Sequence, residues 1–267
     1  MLPSRLAREA GRQAFGADPA NYHTARPDYP DWVFGTLRSH CALGAGTATF
    51  EIGAGTGKAT RRLLDLGARP LVAVEPDPRL AEFLRTANPD PALTVQVSAF
   101  EDAVLDQAAF DLGVSATAFH WLDEEAALAK IARLLRPGGW WAAFWNVFGD
   151  DSRPDPFHLA TRDLLQGPAN PSDGERGIPF GLDREARLAA LKRTGAFDVV
   201  DTAMSAWSLV LDEHQAAALY ATYSTVSLRP DRDSVLAGLR RIARDEFGGR
   251  VVRNMTTSLY MARRAAR

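Results

Sequence analysis

A single cysteine, Cys41, rules out an intramolecular disulfide anywhere in the 267 residues, so the chain asks for no oxidising compartment. Long apolar runs are missing as well. The longest, Trp140 to Trp145, is far too short to cross a bilayer. Basic residues do not outnumber acidic ones: 31 against 33 give a formal net charge of −2, which leaves no electrostatic footprint for nucleic acid or an anionic membrane surface. His23, His40, His120, His158 and His214 show no H-x-x-x-H spacing and the lone cysteine makes no C-x-x-C, so no metal site is expected. The first fifteen residues carry Arg5, Arg8, Glu9 and Arg12 without an apolar run, unlike a secretory signal, and the expectation is a cytoplasmic protein. No repeat or low-complexity tract stands out. What is present, 46% hydrophobic and 24% charged residues, suits a soluble globular chain with enough length for a proper core.

The stretch from Thr49 to Thr60, T-F-E-I-G-A-G-T-G-K-A-T, organises the rest. A buried strand ends at Ile52, glycines alternate at 53, 55 and 57, and a helix follows. Glycine at every second position permits positive φ and close approach of a ligand to bare backbone. The helix N-terminus beyond suits a carboxylate or phosphate. The spacing separates three ligands. A phosphate-binding G-x-x-x-x-G-K-[ST] loop would need glycine at Ile52 and a hydroxyl at Ala59. The dinucleotide fingerprint G-x-G-x-x-G would need a small residue at Lys58 and stays as an alternative, an NAD(P)-dependent reductase. The third pattern is G-x-G-x-G preceded by Glu51 and followed by a helix and a strand, Leu71 to Val74, that ends in Glu75.

These residues resemble the first two motifs of class I S-adenosylmethionine-dependent methyltransferases, E/D-x-G-x-G-x-G and a ribose-binding acid closing the second strand. The resemblance implies S-adenosylmethionine as donor, held by Glu51, Gly53, Ala54, Gly55, Gly57, Glu75 and Pro76. The segment Asn21 to Pro30, N-Y-H-T-A-R-P-D-Y-P, and the phrases F-H-W-L-D and L-R-P-G-G are similar to a subgroup that includes trans-aconitate-type small-molecule enzymes. That likeness implies that Tyr22 and Arg26 lie near the methionine end of the donor, Arg26 either forking onto its carboxylate or making a structural ion pair. It places the adenine at Ala99, Phe100 and Glu101 or Asp102, and the donor also beside Ala116 and Thr117. The two prolines of the segment predict an extended path for it.

Alternating strands and helices with short connections predict an α/β fold with a mostly parallel sheet. The resemblance implies a Rossmann-like sheet of seven strands, the last antiparallel, with helices on both faces and a helical lid insertion. Three segments are expected: 1–43 closing over the donor, 44–147 binding it, and 148–267 completing the sheet and roofing the acceptor. His120, at the carboxyl end of a central strand, is the first candidate general base because an unperturbed histidine titrates near neutrality, and His23 is the second. Tyr29, Trp121, Trp145, Tyr220, Tyr223 and Ser224 are candidate acceptor contacts, suited to a flat or apolar small molecule. Oxygen is the favoured acceptor atom. A carboxylate acceptor would need no base, and a donor-assisted cyclisation is a further alternative. The partners expected are a small-molecule acceptor, neither nucleic acid nor membrane, with a monomer or homodimer as the assembly.

Overall fold

A computed structural model of the chain describes residues 8–150, 152–174 and 176–266. The amino-terminal part holds three helices, α1 (Arg8–Ala14), α2 (Pro19–Ala25) and α3 (Asp31–His40). Strands and helices then alternate: β1 (Thr47–Ile52), α4 (Lys58–Asp65), β2 (Ala68–Glu75), α5 (Pro78–Ala87), β3 (Leu93–Val97), β4 (Phe110–Ala116), α6 (Glu124–Leu134) and β5 (Leu135–Phe148). After β5 come α7 (Pro156–Thr161), α8 (Arg184–Arg193), β6 (Phe197–Asp212), α9 (Glu213–Ala221), α10 (Ser224–Ser227), α11 (Arg232–Phe247) and β7 (Arg250–Arg264).

The seven strands form one sheet in the order β3-β2-β1-β4-β5-β7-β6, the Rossmann-like arrangement that the motifs imply. Strands β1 to β5 pair in parallel and β7 runs antiparallel to both its neighbours. Both faces of the sheet are covered, and β5 shows how. Its Trp141, Ala143 and Trp145 join one apolar cluster with Leu128 and Ile131 of α6, while Ala142 and Phe144 join the other with Phe34 of α3 and Leu63 of α4. Period-two alternation thus supplies two cores from one strand. A third cluster, with Phe157, Leu219, Leu239 and Val251, welds α7, α9 and α11 to β7 and makes the helical insertion a packed body.

Caps fix the helix starts that orient the site. Asp77 accepts from the Arg79 N–H at the head of α5 and Asp123 from the Ala126 N–H at the head of α6. One expectation needs correcting. Asn21 to Ala25 is not extended: α2 runs to Ala25, with Asp18 capping the Asn21 N–H at 3.0 Å and Pro19 at its first position. The extended path begins only at Arg26, so Pro27 and Pro30 lie past the helix rather than inside it. Among the described residues no helix is long and apolar enough to cross a membrane.

Candidate active site

The strand order reverses between β1 and β4, and open α/β sheets bind ligands at the carboxyl ends of strands at such a point. A cavity of about 430 Å³ opens there, within the usual range for small-molecule sites. On the β1–β2 side its wall includes Gly53, Gly55, Glu75, Pro76 and Phe100. On the β4–β5 side it includes Ala116, Thr117, His120, Trp121 and Trp145, and the insertion contributes Tyr223 and Ser224.

The alternating glycines do different work. Gly55, at φ +58, would aim a Cβ at open space, with only a Tyr22 ring carbon 3.9 Å away, so its backbone lies bare to the cavity. At Gly57, φ +87, a Cβ would fall 2.4 Å from Leu84 Cδ1 and 2.6 Å from Asn88 Nδ2, so this residue lets the start of α4 close on α5 and does not line the cavity. Glu75 holds the loop from below: its Oε2 accepts from the Gly55 N–H at 2.8 Å and its Oε1 from the Asp77 N–H at 3.0 Å. Burial pushes its carboxyl up to about 7.

Glu51 sits one layer deeper, 1% exposed, with Oε2 accepting from the Thr60 hydroxyl at 2.6 Å and Oε1 without a partner. It faces a small side pocket that it shares with Arg26, Tyr29, Ala54 and Thr117. Burial raises its carboxyl from 4.5 to about 8. An acid whose folded pKa lies above its unfolded one favours the fold below the unfolded value and loses that contribution as pH rises through the folded one. His120 works in the opposite sense, but only below 6.5, its unfolded value. Between pH 6.5 and pH 8 the melting temperature of the unliganded protein should therefore fall, and Glu51→Gln should flatten that fall. Parallel scanning calorimetry of both proteins across the window checks this; identical slopes would refute it.

Arg26 leaves the end of α2 and enters the same corner. Its Nε donates to Thr222 Oγ1 at 2.7 Å and its Nη2 to the Thr222 carbonyl at 3.1 Å. Its guanidinium lies 4.7 Å from the Tyr223 ring centroid and 5.3 Å from that of Tyr22. Among the described residues no carboxylate pairs with it, so the structural ion pair considered for it is not formed. Phe100 lines the cavity and stacks on Phe50, whereas Ala99 and Glu101 lie outside the lining. Glu101 is engaged by Arg12, whose Nη2 also donates to the Trp121 carbonyl, both at 2.7 Å. Arg12 and Phe15 close this end of the cavity. Neither is legible as a site residue, because the leader carries no motif.

His120 lines the cavity at 6% exposure, and its Nδ1 accepts from the Trp145 indole N–H at 3.1 Å. Burial, and secondarily the Arg26 charge, pushes its pKa down to about 3, which corrects the expectation of a group titrating near neutrality. His23 is corrected in place rather than in charge alone. It bonds Thr56 Oγ1 through Nδ1 at 3.0 Å, rests on Phe83 and lines neither pocket. Two acceptor candidates also move. Tyr29 belongs to the side pocket, donating to Thr117 Oγ1 at 2.9 Å. Tyr220 is buried in the insertion core against Arg253. Asn146, Asn170 and Phe180, which no motif marks, join the lining instead.

Comparison with known proteins agrees with this geometry. Residues 50–143 match the family described as methyltransferase domain. An uncharacterized methyltransferase of Mycobacterium tuberculosis is 35% identical over 138 residues, which are 50% of this chain and 52% of that protein. The chain thus matches about half the length of this relative. Among solved structures, a putative type II methyltransferase from Anaeromyxobacter dehalogenans superposes with a TM-score of 0.61 at 23% identity, covering 90% of this chain and 98% of that one. A phosphoethanolamine N-methyltransferase of Haemonchus contortus, in complex with S-adenosylhomocysteine, gives 0.56 at 12% identity over 94% and 57%. At such identities the structural likeness speaks for the fold alone. The sequence match likens the core around the glycine loop, residues 50–143, to methyltransferase domains.

Proposed function

We infer that the chain is an S-adenosylmethionine-dependent methyltransferase acting on a small molecule, with oxygen as the favoured acceptor atom. The observation that carries the reading is Arg26: a guanidinium with no carboxylate partner among the described residues, set in the cavity wall that also presents the bare Gly55 backbone. A zwitterionic ligand fits that corner. Arg26 would hold its carboxylate, and the unpartnered Glu51 Oε1 in the adjoining side pocket offers an acceptor for its ammonium. Glu75 lines the cavity where a sugar would lie beside the glycine loop, and Phe100 offers an apolar wall to a base. S-adenosylmethionine, when bound, supplies a methyl group already activated by a sulfonium. The protein then contributes mainly proximity and alignment.

The near-neutral charge balance supports a small acceptor over nucleic acid, and the aromatic wall of the β4–β5 side supports a flat one. The likeness to trans-aconitate-type enzymes leaves a carboxylate acceptor as the competing form of the same reading. Calorimetric titration with S-adenosylhomocysteine, with NAD and NADP in parallel, is the test. Micromolar binding of the sulfur nucleoside alone is expected; binding of the dinucleotides alone would overturn the donor assignment.

A further inference from the structure

The acceptor end of the cavity can be read from its charges and from one fixed proton. Among the described residues, the charged side chains of the lining are Arg12, Arg26, Glu75 and Asp173. Arg12 is committed to Glu101 and the Trp121 carbonyl, and Arg26 to the donor carboxylate in the reading above, on which this inference rests. Asp173 of the roof accepts from the Asn170 N–H at 2.7 Å. Among the described residues, an acceptor with several carboxylates would therefore find no uncommitted cation in the lining. Several aromatic rings of the lining already lie against guanidiniums, Tyr22, Tyr223 and Phe148 against Arg26, and Phe180 against Arg187 at 3.5 Å. Trp121 and Trp145 remain as flat walls without a cation.

A neutral imidazole has one donor and one acceptor nitrogen. Because the Trp145 indole can only donate, Nδ1 of His120 must be the acceptor, and the proton lies on Nε2. No protein atom among the described residues accepts from that Nε2–H, and His120 lines the cavity, so this donor is open to an acceptor on the ligand. To act as a base, Nε2 would have to give up its proton to Nδ1, setting two N–H groups against each other. A ligand hydroxyl therefore finds no proton acceptor at His120.

We propose that Trp145 locks His120 as a hydrogen-bond donor, and that the methyl acceptor is a planar phenol or enol, free of carboxylates, that arrives already ionised. Its oxygen receives the Nε2–H bond, and its single delocalised charge complements the donor sulfonium. In the transfer, an oxygen lone pair forms the O–CH3 bond while the S–CH3 electron pair leaves with sulfur. The proton has gone to solvent beforehand, and none moves in the step. Trp145 is then a positioning residue.

The experiment is a spectrophotometric titration of the protein saturated with sinefungin, which carries an ammonium close to where the donor has its sulfonium, using 4-nitrophenol as the probe and citrate as competitor. The probe should bind as its anion, about tenfold more weakly to His120→Phe and near wild-type strength to His120→Gln, which keeps an N–H donor. Citrate should not displace it. Nitrogen–proton NMR of the histidine rings should show His120 with its proton on Nε2 from about pH 5 to about pH 8, and Trp145→Phe should release a mixture of tautomers. Displacement by citrate, equal binding to His120→Phe, failure of the probe to bind, or a proton on Nδ1 in the wild type would each overturn the proposal while leaving the donor assignment intact. Failure of S-adenosylhomocysteine itself to bind would sink both.

Discussion

Replacing Arg253 with alanine should destabilise the protein by about 3–5 kcal/mol, the usual cost of stranding one member of a buried ion pair. Arg253 is 1% exposed and its Nε donates to Asp155 Oδ2 at 2.9 Å, with Asp155 itself only 3% exposed. The same oxygen accepts from the Asn254 N–H, and the other carboxylate oxygen caps α7 through the His158 N–H at 2.7 Å. The phenol of Tyr220 meets the second arm of the guanidinium. Alanine would leave a buried carboxylate at the head of a helix with no counterion. Denaturant melts of Arg253→Ala, Asp155→Asn and the double variant measure it. The double variant should lose clearly less than the sum of the two single losses, since the stranded charge is then removed. Strict additivity would show that the pair carries no coupling. A change at the donor corner should accompany the loss, because the Tyr220 ring lies 5.0 Å from that of Tyr223, which in turn lies against Arg26.

The second large effect belongs to Arg26 itself. Arg26→Ala should weaken S-adenosylhomocysteine binding on the order of a hundredfold, as expected when one partner of a partly buried, hydrogen-bonded charge pair is removed. Lysine should restore only part of it. Its compact ammonium cannot reproduce the two donations to Thr222 that aim the guanidinium while still reaching a ligand carboxylate. Calorimetry on the three proteins separates the cases. Equal affinity in the alanine variant would mean that Arg26 only stitches α2 to the Thr222 turn. Because Arg26 also depresses the protonation of His120, the alanine variant removes the smaller of the two influences on that ring and leaves burial, the larger, in place.

How much of this was legible in the chain depends on the range of the interaction. The glycine loop and Glu75 closing β2 are written in local patterns, and the structure places them as read. The helix holding Tyr22 escaped because Pro27 and Pro30 were weighed as breakers of the whole segment, while Asp18 and Pro19 just upstream, a cap followed by a first-turn proline, were the signal for its start. His120 lies in the lining, but its titration is not the near-neutral one expected. Its protonation is set by burial and by an indole 25 residues away on the next strand, and no local pattern encodes that. Tyr220 presents the same difficulty, since its partner Arg253 lies 33 residues downstream on β7. Arg12 reaches Glu101 across 89 residues, from a leader whose sequence gives no hint of a role.

The position of β7 between β5 and β6 bears on the order in which the molecule can be made. As the chain is synthesised, β1 to β5 can assemble as a parallel sheet once Phe148 has emerged, leaving β5 as a bare edge. The 16 residues of β6 then appear with nothing to pair with, because β7, their neighbour in the sheet, follows only after α9, α10 and α11. Exposed strand edges are templates for wrong pairing, and pairings separated by long intervening chain form slowly. Newly made chains are therefore most prone to aggregate between completion of β6 and arrival of β7. A ribosome-stalled series ending before and after residue 264 should show that susceptibility disappear as β7 docks and closes both gaps at once.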